Sequence, residues 1–161
     1  MIAGQQYRTV LTHVGLVLLL VGVLDVAVMV YCIVNGISYR SSLNIFAVWF
    51  GILLMRGSLW AVSVVRFFSV FFLASGIGLI AVLPFLQPID LTLAEIRHAS
   101  LFTVVLPPLL LTLSFWITRE LNGEPVLTAL RLSGRRISPL LFPVVLGFGL
   151  VAVVAGVIVF T

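Results

Sequence analysis

The sequence has no lysine, one cysteine and little charge of either sign: all nine basic residues are arginine, and charged residues make up 9% of 161 positions. With 62% hydrophobic residues and a mean hydropathy of +1.32, such a chain is too apolar for a soluble domain and unlike a disordered one. Cys32, standing alone, excludes an intramolecular disulfide, a dithiol redox pair and a thiolate metal cluster within the chain, and reads as a small packing residue. The formal charge of +4 does not describe a nucleic-acid binder, because the arginines punctuate hydrophobic segments instead of covering a polar face. Nucleic acid is not an expected partner.

Catalytic patterns are equally scarce. No His-x-Glu or His-Glu-x-x-His arrangement occurs, and no glycine-rich phosphate loop with its lysine. His13 and His98 are far apart in sequence and fall on opposite predicted sides, so they share no metal site; no metal and no cofactor are expected. Glu120 and Glu124 are one turn apart but flank Asn122-Gly123 in a polar stretch, which reads as a solvated loop. Ser58, Ser63 and Ser69 have no positioned histidine to activate them. The chain reads as non-catalytic.

What is present is a series of long apolar runs. A membrane crossing needs about 20 residues, so 161 positions hold several crossings and no separate soluble module; the reading is one helical domain over residues 1–161. The first helix is expected over about residues 13–34, closed by Asn35-Gly36. Its hydrophobic run exceeds the roughly 7 to 15 residues of a signal-peptide core, and no small-residue cleavage site follows, so it reads as a retained helix. A second is expected over about residues 41–55, with Arg56-Gly57-Ser58 as a tight connection into a third helix. There Trp60 serves as an interfacial anchor, Arg66 snorkels toward headgroups, and the span proper is residues 67–85.

Pro84 and Pro88 open a polar connection over residues 84–100, expected outside the cytoplasm. Thr92 and Glu95 have capping-box spacing, which starts a fourth helix near Leu93 that reaches Thr118. Pro107 and Pro108 are expected to kink it, as a hinge, a cavity wall or a static packing feature. Residues 119–138 form the most polar stretch, expected as a cytoplasmic loop with a short interfacial helix: Pro125 suits its first turn, Gly134 its end, and Val126, Leu127 and Leu130 share one face. Ser138-Pro139 then restarts a helix that runs to Phe160.

The expected fold class is therefore an all-α polytopic integral membrane protein with five crossings. Arg8, Arg56, Arg66, Arg119, Arg131, Arg135 and Arg136 fall on one side, against Arg40 and Arg97 on the other, which places the N-terminus in the cytoplasm. A four-crossing alternative makes the second segment re-entrant and puts Arg56 on the wrong side. The setting expected is a bacterial cytoplasmic (inner) membrane. Small residues at Gly15 and Gly22, at Ala74 and Gly78, and at Ala152 and Gly156 mark places where helix backbones can approach closely.

Asp25 is the exception to this apolar pattern, standing within the run over residues 14–34. A carboxylate at the centre of a bilayer costs about 2.5–3.5 kcal/mol on insertion scales, so it implies a polar partner, a wet cavity, protonation or a subunit contact. The favoured reading is a non-catalytic membrane subunit or interaction protein, whose partners are membrane lipids and other subunits or further copies of itself. One alternative is a small oligomeric ion- or proton-coupled transporter or channel using Asp25 beside the Pro107-Pro108 kink. The other is a lipid-modifying enzyme in which Arg56, Arg66, Arg119, Arg131, Arg135 and Arg136 hold an anionic headgroup; otherwise those arginines set topology and contact lipid.

Overall fold

The computed structural model describes residues 2–36, 44–86, 101–134 and 139–160. All regular structure among them is helical: α1 (Ile2–Val34), α2 (Asn44–Met55), α3 (Leu59–Leu86), α4 (Leu101–Leu121), α5 (Glu124–Leu132) and α6 (Leu141–Phe160). Three segments, Gln6–Val34, Leu59–Leu86 and Leu141–Ile158, are long and apolar enough to cross a membrane, while Ile45–Met55 is a shorter apolar helix. The architecture is all-α and fits a polytopic membrane protein. The chain divides into two compact units, one of Met1–Val65 with Glu120–Ile137, the other of Arg66–Arg119 with Ser138–Thr161.

In the first unit α1 has 33 residues, a length of about 50 Å at 1.5 Å per residue. It begins well before residue 13, because once a helix is nucleated each further residue needs only one more bond and nothing in the first turns breaks it. Arg8, Thr12 and His13 are exposed on this extension, and the Thr12 hydroxyl donates to the Arg8 carbonyl at 2.9 Å. At the other end the Asn35 side-chain amide donates to the Tyr31 carbonyl at 2.8 Å, and Gly36 takes φ +68° to turn the chain.

The α2–α3 connection is three residues long and satisfies both helix ends. Ser58 N–H donates to the Leu53 carbonyl at 3.0 Å and Gly57 N–H to the Leu54 carbonyl at 2.8 Å, with Gly57 at φ +78°, which is a Schellman closure. Ser58 then begins α3: its carbonyl accepts from Val62 N–H at 3.2 Å and its hydroxyl from Ala61 N–H at 3.5 Å. The chain thus reverses with little backbone left unbonded.

α5 packs against α1. Val126 and Leu130 on α5 are buried, as are Leu11 and Val14, the α1 side chains with no exposed surface. The apolar face of this short helix is therefore taken by protein, not laid on lipid. Gly123 opens it without a side-chain cap, Pro125 sits in its first turn where an amide hydrogen has no helical acceptor, and Gly134 ends it at φ +69°.

In the second unit small residues hold α3 against α6. A Cβ built on Gly147 would stand 2.9 Å from both the Ala74 Cβ and the Phe71 carbonyl oxygen, and one on Gly78 3.0 Å from the Phe148 ring. A Cβ on Gly76 would collide with the Leu111 side chain of α4. The Ala74 and Gly78 pair is a true packing face, whereas Gly156 meets nothing within 4 Å and Ala152 is exposed. Phe67 adds a tilted contact with Phe142 at a ring separation of 6.1 Å.

Three prolines lie inside helices of this unit. α3 continues two residues past Pro84, because a proline in the last turn removes only one bond, the one its amide would make to Ile80. α4 runs through Pro107 and Pro108 and on to Leu121, and the Thr112 hydroxyl donates to the Pro108 carbonyl at 2.8 Å, a back-bond of the kind that bends helices. α6 starts at Leu141, with Val144 N–H donating to the Leu140 carbonyl at 3.3 Å and Pro143 in the first turn. The expected cap at Ser138, the Thr92 and Glu95 capping box and the start of the second helix near residue 41 lie outside the described residues.

Candidate functional site

Asp25 is the only acidic residue in the three long apolar segments. Its position on α1 follows from the helix repeat. Leu11, Gly15, Leu18, Gly22, Asp25, Met29 and Cys32 recur at alternating spacings of four and three, and every one is buried or half-buried. On the opposite side Leu16, Leu20, Leu24 and Tyr31 are all exposed, Leu24 and Tyr31 over 64% of their surface. The carboxylate is therefore on the packed stripe of α1 and not on the side turned away from the protein.

What that stripe packs against is α2. A Cβ built on Gly15 would stand 2.7 Å from the Gly51 carbonyl oxygen and 3.0 Å from the Met55 amide nitrogen; one on Gly51 would stand 2.9 Å from the Leu19 amide nitrogen. As the number rises on α1 it falls on α2, so the two helices are antiparallel. Asp25 is ten residues above Gly15, or about 15 Å, whereas α2 begins seven residues, or about 10.5 Å, from Gly51. Asp25 therefore stands at or just beyond the level of Asn44, the first described residue of α2.

The arginines separate by environment. Arg56, Arg119 and Arg131 are exposed; Arg66 is buried, with 8% of its surface accessible, beside Val65, Ser69 and Val70, which are buried too. Arg66 is thus held within protein, two turns into α3, and not extended along a lipid-facing side. Arg135 and Arg136, like His98, lie outside the described residues. Pro107 and Pro108 are exposed on α4.

The remaining polar groups serve the backbone. Ser58 caps α3, the Ser63 hydroxyl donates to the Leu59 carbonyl at 3.3 Å, and the Ser133 hydroxyl donates to the Leu130 carbonyl at 2.7 Å. Glu124 sits in the first turn of α5, where a carboxylate complements the helix dipole. Among the described residues no three His, Cys, Asp or Glu side chains gather to hold a metal ion. The chemistry within reach of Asp25 is that of one carboxylate: accepting hydrogen bonds, pairing with a cation or carrying a proton.

Gly51 is a contact point outside the small-residue pairs named above, and its signal in the sequence is the Ala47-x-x-x-Gly51 spacing, of the same kind as Ala74 and Gly78. Ser75 carries no such signal: its hydroxyl is buried without a hydrogen-bond partner among the described residues, and its amide faces Gly147. Comparison with protein-family models gave no match, and neither did comparison with curated proteins or with solved structures.

Proposed function

We propose that this chain is a non-catalytic integral subunit or interaction protein of a larger membrane assembly. The observation that carries this reading is the place of Asp25: a single carboxylate on the packed stripe of α1, the stripe that meets α2 at Gly15, is a group used to fix helix arrangement. In the same reading α2 and α4 complete five crossings, the arginine distribution puts the N-terminus in the cytoplasm, and the setting is a bacterial cytoplasmic membrane. The exposed apolar side of α1, with Leu20, Leu24 and Tyr31, meets lipid or neighbouring helices.

Native mass spectrometry of the protein released from its own membrane in mild detergent tests this. The expected result is a stoichiometric complex with other chains or further copies; recovery only as a 17.6 kDa monomer contradicts it.

One observation favours a second reading. Asp25 is half-buried, not sealed, and a carboxylate in that position could take up a proton or cation in a small oligomeric transporter. Flux measurements on reconstituted protein separate the two.

A further inference from the structure

The first unit carries three exposed arginines, Arg8, Arg56 and Arg131, and two of them share one end of it. α1 and α2 are antiparallel and meet at Gly15 and Met55, so Arg8, on the part of α1 that extends past this contact, and Arg56, one residue after Met55, are at the same end. α5 packs on α1, whose side chains with no exposed surface are Leu11 and Val14, within two turns of Arg8; we infer that the buried Val126 and Leu130 of α5 meet them there, which puts Arg131 at that end as well. None of the three guanidinium groups is joined to a carboxylate among the described residues. Beside Arg131, Leu132 is exposed over 84% of its surface, although the rest of the apolar face of α5 is already covered.

We propose that this end of the first unit binds anionic phospholipid, with Arg8, Arg56 and Arg131 on the phosphodiester headgroups and Leu132 entering the boundary between headgroups and acyl chains. Guanidinium groups suit this ligand because their planar fork bonds phosphate oxygens in pairs. An exposed leucine next to a cation is the pairing seen where a helix end rests in the interface. A basic group held at an anionic surface strengthens binding about five-fold, so three of them make a preference large enough to measure. The inference does not depend on the chain being part of an assembly, because it concerns the isolated protein and lipid.

Trp60 supplies the probe. It is half exposed at the start of α3, four residues after Arg56, with its ring 5.8 Å from that of Phe50. In a W49F/W116F background, quenching of Trp60 is compared in vesicles of brominated phosphatidylcholine and of brominated phosphatidylglycerol. The expected result is a preference for phosphatidylglycerol of about five-fold or more, reduced but not abolished in R8K/R56K/R131K, which keeps the charge without the fork, and lost in R8Q/R56Q/R131Q. Folding is checked by circular dichroism and gel filtration, and the single glutamine variants stand in should the triple one fail to insert.

Equal quenching by the two lipids overturns the proposal, as does a preference that survives the triple glutamine change. Free inorganic phosphate is compared with chloride at matched ionic strength. Equal effects are expected for a headgroup site, whereas loss of the preference in phosphate alone would show that the arginines take the free ion.

Discussion

Gly15 and Gly51 meet backbone to backbone: a Cβ built on either would stand within 2.7 to 2.8 Å of the carbonyl oxygen of the other. This reciprocal contact sets how closely α1 and α2 approach, and hence how the stripe that carries Asp25 is held against α2. Backbone cannot rotate away as a side chain can, so an added methyl group forces the helices apart. Gly15→Ala and Gly51→Ala are each expected to destabilise by about 1–3 kcal/mol. Gly149→Ala and Gly156→Ala, which meet nothing within 4 Å, should be neutral or stabilising by about 0.5–1 kcal/mol. Thermal unfolding of the four variants in one detergent checks the contrast.

The α2–α3 turn separates conformational strain from steric clash. Gly57 has φ +78° with open space around it, so Gly57→Ala is expected to cost about 1–2 kcal/mol through backbone conformation alone. Asparagine tolerates that conformation better, and Gly57→Asn should lower the melting temperature less. Equal losses for the two would show that crowding, not conformation, makes glycine necessary.

On α5 two leucines two residues apart have opposite environments. Leu130 is 2% exposed and Leu132 is 84% exposed. Leu130→Ala is expected to destabilise by about 2–5 kcal/mol and to release α5 from α1. Leu132→Ala should change stability by no more than about 0.5 kcal/mol. Limited trypsin digestion at Arg131 reads the difference: faster cleavage in the first variant, an unchanged rate in the second.

How far these features were visible in the residues themselves depends on the kind of signal. Asn35-Gly36 and Arg56-Gly57-Ser58 could be read as helix ends because glycine at positive φ and serine as a cap are local chemistry. The apolar runs of α1, α3 and α6 could be read because length and hydropathy set a crossing. Starts of helices were less legible: α1 begins at Ile2, and α6 at Leu141 with Pro143 in its first turn, since the first amides of a helix need no helical acceptor and many residues fit there. The side of α1 on which Asp25 stands was the least legible feature. α1 is apolar nearly all round, so hydropathy does not mark the packed stripe; the small residues Gly15 and Gly22 lie on it, and the Gly15 and Gly51 contact shows that it is packed.

The proposed five-crossing topology rests on the distribution of the arginines, and reporter fusions or cysteine accessibility measure it directly. Residues near Ser58 and Gly123 are expected inside, and those near Ser38, Ile89 and Thr161 outside. Labelling of Gly123 and Thr161 from the same side would contradict five crossings, because α6, whose 20 residues match the roughly 20 needed to cross, would not span.

The most direct measurement of the central claim compares complex integrity and ion flux in the same preparations of Asp25→Asn and Asp25→Leu. With Asp25 as a structural partner, Asp25→Asn keeps the hydrogen-bonding shape and largely preserves the complex, Asp25→Leu leaves the partner's polar group without an acceptor and breaks it up, and neither preparation shows flux that depended on the carboxylate. An Asp25→Asn complex that remains whole while proton or cation flux through reconstituted wild-type vesicles is abolished would contradict the account and make Asp25 a transport site.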